Sequence, residues 1–151
     1  MNITKAQKII FDELISGGHV RKFEVDKDNV FITPDGFRGF VLPYTSIQVN
    51  LDRIATLKTI DFSSVVKEEN LCHLTKELVL QEHPKAYLRK LKKGDTNIYF
   101  NQKYMECFQN PKFYNASSTG MIVVTEDISA TRINQVVGII MPTRVVEDHF
   151  A

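Results

Sequence analysis

Apolar positions set the first element: Ile9, Ile10 and Leu14 follow a helical period behind Thr4, which with Gln7 three residues on completes a capping box. Gly17 and Gly18 of "SGGH" end that helix. The period then changes to short β-rich runs. "VRKFEVDKDNVFITPDGFRGFVLP", broken by the turn formers "DKDN" and "PDG", predicts a three-stranded antiparallel meander. A similar order recurs late in the chain. "TNIYFNQKYMECFQNP" predicts a strand over 97–100 and a helix capped by Asn101, with Phe100 and Met105 placed as a hydrophobic staple. Strands follow around 113–116, 121–125 and 136–141.

The two regions also match in letters. "VFITPD", from Val30 to Asp35, aligns with "IVVTED", from Ile122 to Asp127, and "GFVLP" from Gly39 aligns with "GIIMP" from Gly138. The matches fall in the same order after a helix, which favours a duplication over a chance agreement of short apolar runs. Between them, "KEENLCHLTKELVLQEH" reads as helical, with Leu71, Leu74 and Leu78 spaced for one face. Pro84 interrupts it, and "HPKAYLRKLKKGD" reads as a second short helix with Pro84 at its first position and Gly94 past its end. The expectation is therefore one α+β domain over 1–151: a duplicated β-α-β-β-β unit with antiparallel sheets, the first copy over 1–43, a helical insertion over 44–96 and the second copy over 97–146.

Helix plus three strands, repeated, with a last strand "VVGIIMPTRV" carrying Met141, Pro142 and Arg144, resembles a domain of the DNA sliding clamp, the polymerase processivity factor. "FNQKYMECF" is similar to the start of the clamp helix in the same half-domain. The resemblance covers 3–42 and 97–145. It implies a clamp-like fold, association with DNA, and a homo-oligomer that closes a ring. In that family the helices line the DNA; here the two candidate helices offer Lys5, Lys8 and Lys103 against Asp12, Glu13 and Glu106.

Composition narrows the picture. Hydrophobic residues make 43% of the 151-residue chain and charged residues 25%, enough apolar material for a core and no mark of disorder. The start "MNITKAQKII" and the lack of a long apolar run predict neither secretion nor a membrane partner, hence a cytoplasmic location. The net charge of +1 gives no field to hold nucleic acid non-specifically, so such a partner needs a local patch. The densest patch is Lys85, Arg89, Lys90, Lys92 and Lys93. On a helix Lys85, Arg89, Lys92 and Lys93 share one side, either a solvated face or a nucleic-acid-binding surface that tracks phosphates.

Catalytic motifs are absent from the sequence: there is no phosphate loop, no Gly-x-Ser-x-Gly elbow and no His-Glu-x-x-His pair. Cys72 and Cys107 read as reduced core thiols; Cys72, His73 and His83 are poorly spaced for zinc, and neither a metal nor a cofactor is expected. Asp26 in "DKDN" lacks the remainder of a calcium loop. Asp35 and Asp127 hold equivalent places and form either a paired carboxylate site or two turns. Asn115 in "NAS" fits a glycosylation acceptor, relevant only to a secreted chain. The leading expectation is a non-enzymatic binding or assembly module with DNA or a protein as partner. The alternative is a small enzyme whose His19, His73, His83 and turn aspartates converge on folding.

Overall fold

The structure, a computed structural model, describes residues 1–145. Helix α1, Ile3–Ile15, starts from Asn2, whose side chain accepts a hydrogen bond from the Lys5 amide at 3.0 Å. Asn2 has the extended backbone that a cap requires, so Thr4 lies inside the first turn and the expected capping box is not formed. Gln7 instead clamps a loop: its Nε2 donates to the Ser46 carbonyl at 2.8 Å and its Oε1 accepts from the Gln48 amide at 2.6 Å. Gly17, at φ +78°, lies just past the helix end, as the sequence predicts.

Strands β1 (Arg21–Glu24), β2 (Asn29–Thr33) and β3 (Arg38–Pro43) form the first antiparallel meander. Strands β4 (Thr56–Leu57), β5 (Leu71–Glu82), β6 (Lys85–Lys93) and β7 (Thr96–Asn101) follow, and β8 (Lys112–Asn115), β9 (Ile122–Glu126) and β10 (Gln135–Ile140) form a second meander. All ten join in one mixed sheet of order β4-β1-β2-β3-β10-β9-β8-β5-β6-β7. The meanders stand back to back through the antiparallel β3–β10 pair. Alternation along the strands then builds a core on each face. One contains Ile10 of α1 with Ile32, Phe40, Phe100, Phe113 and Ile140; the other buries Phe31, Tyr114, Val123 and Ile139 under Phe62 and Val65 of the segment that precedes β5.

The expected α+β duplication with a helical insertion is overturned. Among the described residues α1 is the one α-helix, and the rest of the regular structure is almost entirely sheet. No strand precedes α1. In the second region Asn101 caps only a 3-10 turn, Gln102–Met105, because Cys107 and Phe108 leave helical geometry to enter the core and Asn110, at φ +47°, turns the chain before Pro111. The insertion is not helical either. Both of its predicted helices are strands, β5 and β6, joined at the turn that holds His83 and Pro84. A spacing of four, as between Leu74 and Leu78, satisfies the helical period and also places both side chains on one face of a strand.

The pairing also corrects the alignment of the two meanders. Val30 pairs with Leu42 and Ile122 with Ile140, so the counterpart of Leu42 is Ile140, one residue earlier than the match of "GFVLP" to "GIIMP" requires. In the corrected register Phe40 and Gly138 are counterparts, and they lie directly opposite each other across β3 and β10. No helix among the described residues is long and apolar enough to cross a membrane.

Candidate interaction surface

The β5–β6 hairpin is only partly integrated into the sheet. On one edge β5 pairs with β8 at Leu71 and Cys72 alone; from His73 onward its only partner strand among the described residues is β6. β6 in turn meets β7 from Leu88 to Lys93 and not before. The rows Leu80–Tyr87, Gln81–Ala86 and Glu82–Lys85 therefore form a two-stranded arm without a third strand on either side among the described residues.

The register fixes what the arm presents. Leu78 lies opposite Arg89 and Leu80 opposite Tyr87, so these four side chains share a face, continued toward the body by Leu74 opposite Leu91. Leu91 is buried, but Leu78 is 51% and Tyr87 56% exposed, and Leu74 and Leu80 are exposed as well. Between Leu74 and Leu78 the register shifts: Thr75 turns its hydroxyl to the Lys90 carbonyl at 2.9 Å. Such a bulge, followed by Lys76, guards the inner part of an open edge against pairing. From Leu78 to Glu82 the edge has no bulge.

The predicted basic set divides on this arm. Strand alternation puts Lys85, Arg89 and Lys93 on one face and Lys92 on the other, so they do not form the single surface a helix would give. Lys93 is half-buried and structural: its Nζ donates to Asn115 O at 2.7 Å and to Asn70 Oδ1 at 3.2 Å. Lys90 pairs with Glu77 at 3.0 Å. Lys85 and Lys92 are exposed. Arg89 is partly buried and its Nε is enclosed without a hydrogen bond. The apolar strip of Leu78, Leu80 and Tyr87 was not anticipated, although alternation on both sides of a turn proline, "LVLQEHPKAYLRK", is a hairpin signature.

The other candidate residues do not come together. Thr33 closes the β2–β3 turn, accepting from the Gly36 amide at 2.9 Å, while Asp35 accepts from the amides of Phe37 and Arg38. Thr125 and Asp127 both bond Asn134 and close the β9–β10 loop. Because β2 and β9 run in opposite directions, the two aspartates lie at opposite ends of the sheet and form turns, not a carboxylate pair. Asp26 is likewise a turn residue, its carboxyl pKa lowered first by the hydrogen bond from the Asp28 amide. His73 and His83 are exposed on the arm, whereas His19 sits in the α1–β1 loop. No group of three metal-ligating side chains occurs among the described residues. Asn115 is fully buried, its Nδ2 donating to the carbonyls of Gly120 and Met121, and is inaccessible as a glycosylation acceptor.

Burial pushes the Cys107 thiol up to about 11, with Glu106 adding to the effect, and pushes Cys72 upward too. Both thiols are buried and neither has the lowered pKa of a nucleophile. An open cleft of about 870 Å³ lies where β3 ends and β10 begins, lined by Val41, Val136 and Phe62 together with Asp26, Asp61 and Arg132 of the β9–β10 loop. His19, His73 and His83 do not line it. At its inner end Glu126 is buried, pairing with the amino terminus of Met1 and accepting from the Gln109 amide at 2.6 Å. Compared with models of protein families, with curated proteins and with solved structures, the chain matches none of them.

Proposed function

We propose that the protein is a binding module whose working part is the β5–β6 arm, and that it takes a macromolecular partner by strand addition. The observation that carries this reading is the open edge of β5 from Leu78 to Glu82, flanked by exposed Leu78, Leu80 and Tyr87. An unguarded edge supplies main-chain hydrogen bonds to an extended segment, and the exposed apolar side chains supply alternate-residue contacts. The resemblance to sliding clamps adds DNA as a partner class. Against that class, Lys85 and Lys92 are turned to opposite faces of β6, and a phosphate backbone would leave the leucine strip uncovered.

The test is a selection of random displayed peptides on the intact chain. Peptides that bind at the arm lose binding to a Leu78→Ser, Leu80→Ser variant and retain it with Leu57→Ser, a change at an exposed leucine elsewhere. Selected peptides indifferent to the two arm substitutions would rule the arm out.

A further inference from the structure

We infer that the partner of the arm is an extended protein segment that carries both apolar and acidic residues at its alternate positions, on one face of the added strand; this rests on the arm being the binding element. Charge complementarity points there. The stretch from Leu71 to Lys93 contains six Lys and Arg residues against two Glu, in a chain whose net charge is +1, so positive charge is concentrated on the element with the open edge. The two acids are already placed. Glu77 pairs with Lys90, and Glu82 lies opposite Lys85 at the tip.

Arg89 is the informative residue. It sits inside the apolar strip, with Leu78 opposite, Tyr87 two residues before it and Leu91 two residues after it, and no carboxylate lies opposite it in the hairpin register. Its Nε is enclosed and has no hydrogen-bond acceptor among the described residues. Arginine and tyrosine are among the side chains enriched at interface hot spots. A planar guanidinium is matched by a carboxylate, and the surrounding side chains are matched by apolar residues on the same segment. Nucleic acid satisfies the first requirement alone. A segment pairing with β5 along Leu78 to Glu82 satisfies both, since alternate side chains of an added strand lie over this face.

The test uses fluorescence anisotropy with the intact chain and three labelled probes: a ten-residue peptide with threonine at every second position and valine and glutamate taking turns at the positions between, so that both lie on one face, the same peptide with lysine for glutamate, and a twenty-base-pair duplex DNA. The acidic peptide binds, and Arg89→Ala and Leu78→Ser each weaken it by about tenfold or more. Methylation of alternate backbone amides on the peptide abolishes binding, as strand addition requires. Folding of each variant is checked by its thermal melt. If the lysine peptide or the duplex binds instead, and the Leu78→Ser, Leu80→Ser variant loses it, the arm is the site but its acidic specificity is wrong. Acidic-peptide binding that survives those two substitutions removes both the specificity and the arm. A doubled mass in light scattering, lost in the same variant, assigns the edge to a second copy of the chain and overturns the acidic partner. Binding of none of the probes also overturns it.

Discussion

Arg38 of β3 donates through Nη1 to Glu106 Oε1 at 2.9 Å, joining positions 68 residues apart. The guanidinium is nearly buried, stacked 5.1 Å from the Tyr104 ring centroid, and Asp35 stands 4.0 Å from its Nε. Lys5 of α1 reaches the other oxygen of Glu106 at 3.7 Å. The cluster thus ties the helix, the first meander and the turn after β7 together, and its carboxylate compensates a cation that has little access to water. Glu106→Gln is expected to cost about 1–3 kcal/mol in denaturant unfolding. Lys5→Ala, at a half-exposed pair, is expected to change stability by no more than about 0.5 kcal/mol. Equal effects of the two changes would mean that Glu106 is not the partner Arg38 depends on.

Gly138 faces Phe40 across the strands, and the space of its missing side chain is filled. A Cβ there would lie 2.8 Å from the Phe108 ring and against the Gly39 carbonyl oxygen. Backbone on one side and a core aromatic on the other leave no flexible group to yield. Gly138→Ala should destabilise the protein by about 1–3 kcal/mol through overpacking. Gly120→Ala, which meets only Ser117, is the comparison. A melt of Gly138→Ala that coincides with that of the unaltered protein would contradict the packing between the meanders.

The Cys107 thiol gives a pH dependence of definite sign. Burial, with Glu106 beside it, raises its folded pKa from 9.0 to about 11. The thiol form is therefore favoured in the folded state. Its stabilising contribution is fully present below the unfolded pKa of 9.0 and is lost as pH rises through the folded value of about 11. Between those pH values the stability of the unaltered chain should fall more steeply than that of Cys107→Ala, measured by urea unfolding at pH 8 and pH 10.5. At pH 8 both thiols should react with iodoacetamide only as fast as the chain opens. Parallel pH profiles for the two proteins would remove the effect.

How far the sequence carries can be judged from particular residues. The β1–β3 meander was legible because "DKDN" and "PDG" are turn formers whose side chains do local work: Asp26 and Asp35 accept the amides that close their turns. The second meander is legible from its apolar runs, with a one-residue error because the shared letters Gly39 and Gly138 do not hold equivalent places: Phe40 is the counterpart of Gly138. The arm reads as helical because Lys, Glu and Leu favour helix locally, and the leucine spacing fits both periods. Tertiary pairing decides such cases, and β5 obtains it from β6 beyond a proline turn and from β8 about forty residues away. Arg38 and Glu106 leave no local trace at all, since neither neighbourhood in sequence signals the other. The basic side chains were found, but their common face depended on the helix and was lost with it.

The split of those basic residues makes a final prediction. Lys93 spends its ammonium inside the fold, on the Asn115 carbonyl at 2.7 Å and on Asn70 at 3.2 Å, next to buried Cys72. Removing it leaves a buried carbonyl and amide oxygen without their donor, so Lys93→Met should cost about 1–3 kcal/mol in unfolding free energy. Lys92 is exposed on the opposite face, and Lys92→Ala should stay within about 0.5 kcal/mol of the unaltered protein. The two neighbours, equivalent by charge, thus separate by thermal melt alone. A loss of binding in Lys93→Met would then report a weakened fold beside the arm. The same loss in Arg89→Ala, with an unchanged melt, would report the surface itself. If Lys93→Met melts with Lys92→Ala, the lysine is a surface cation and belongs again among the residues that meet a partner.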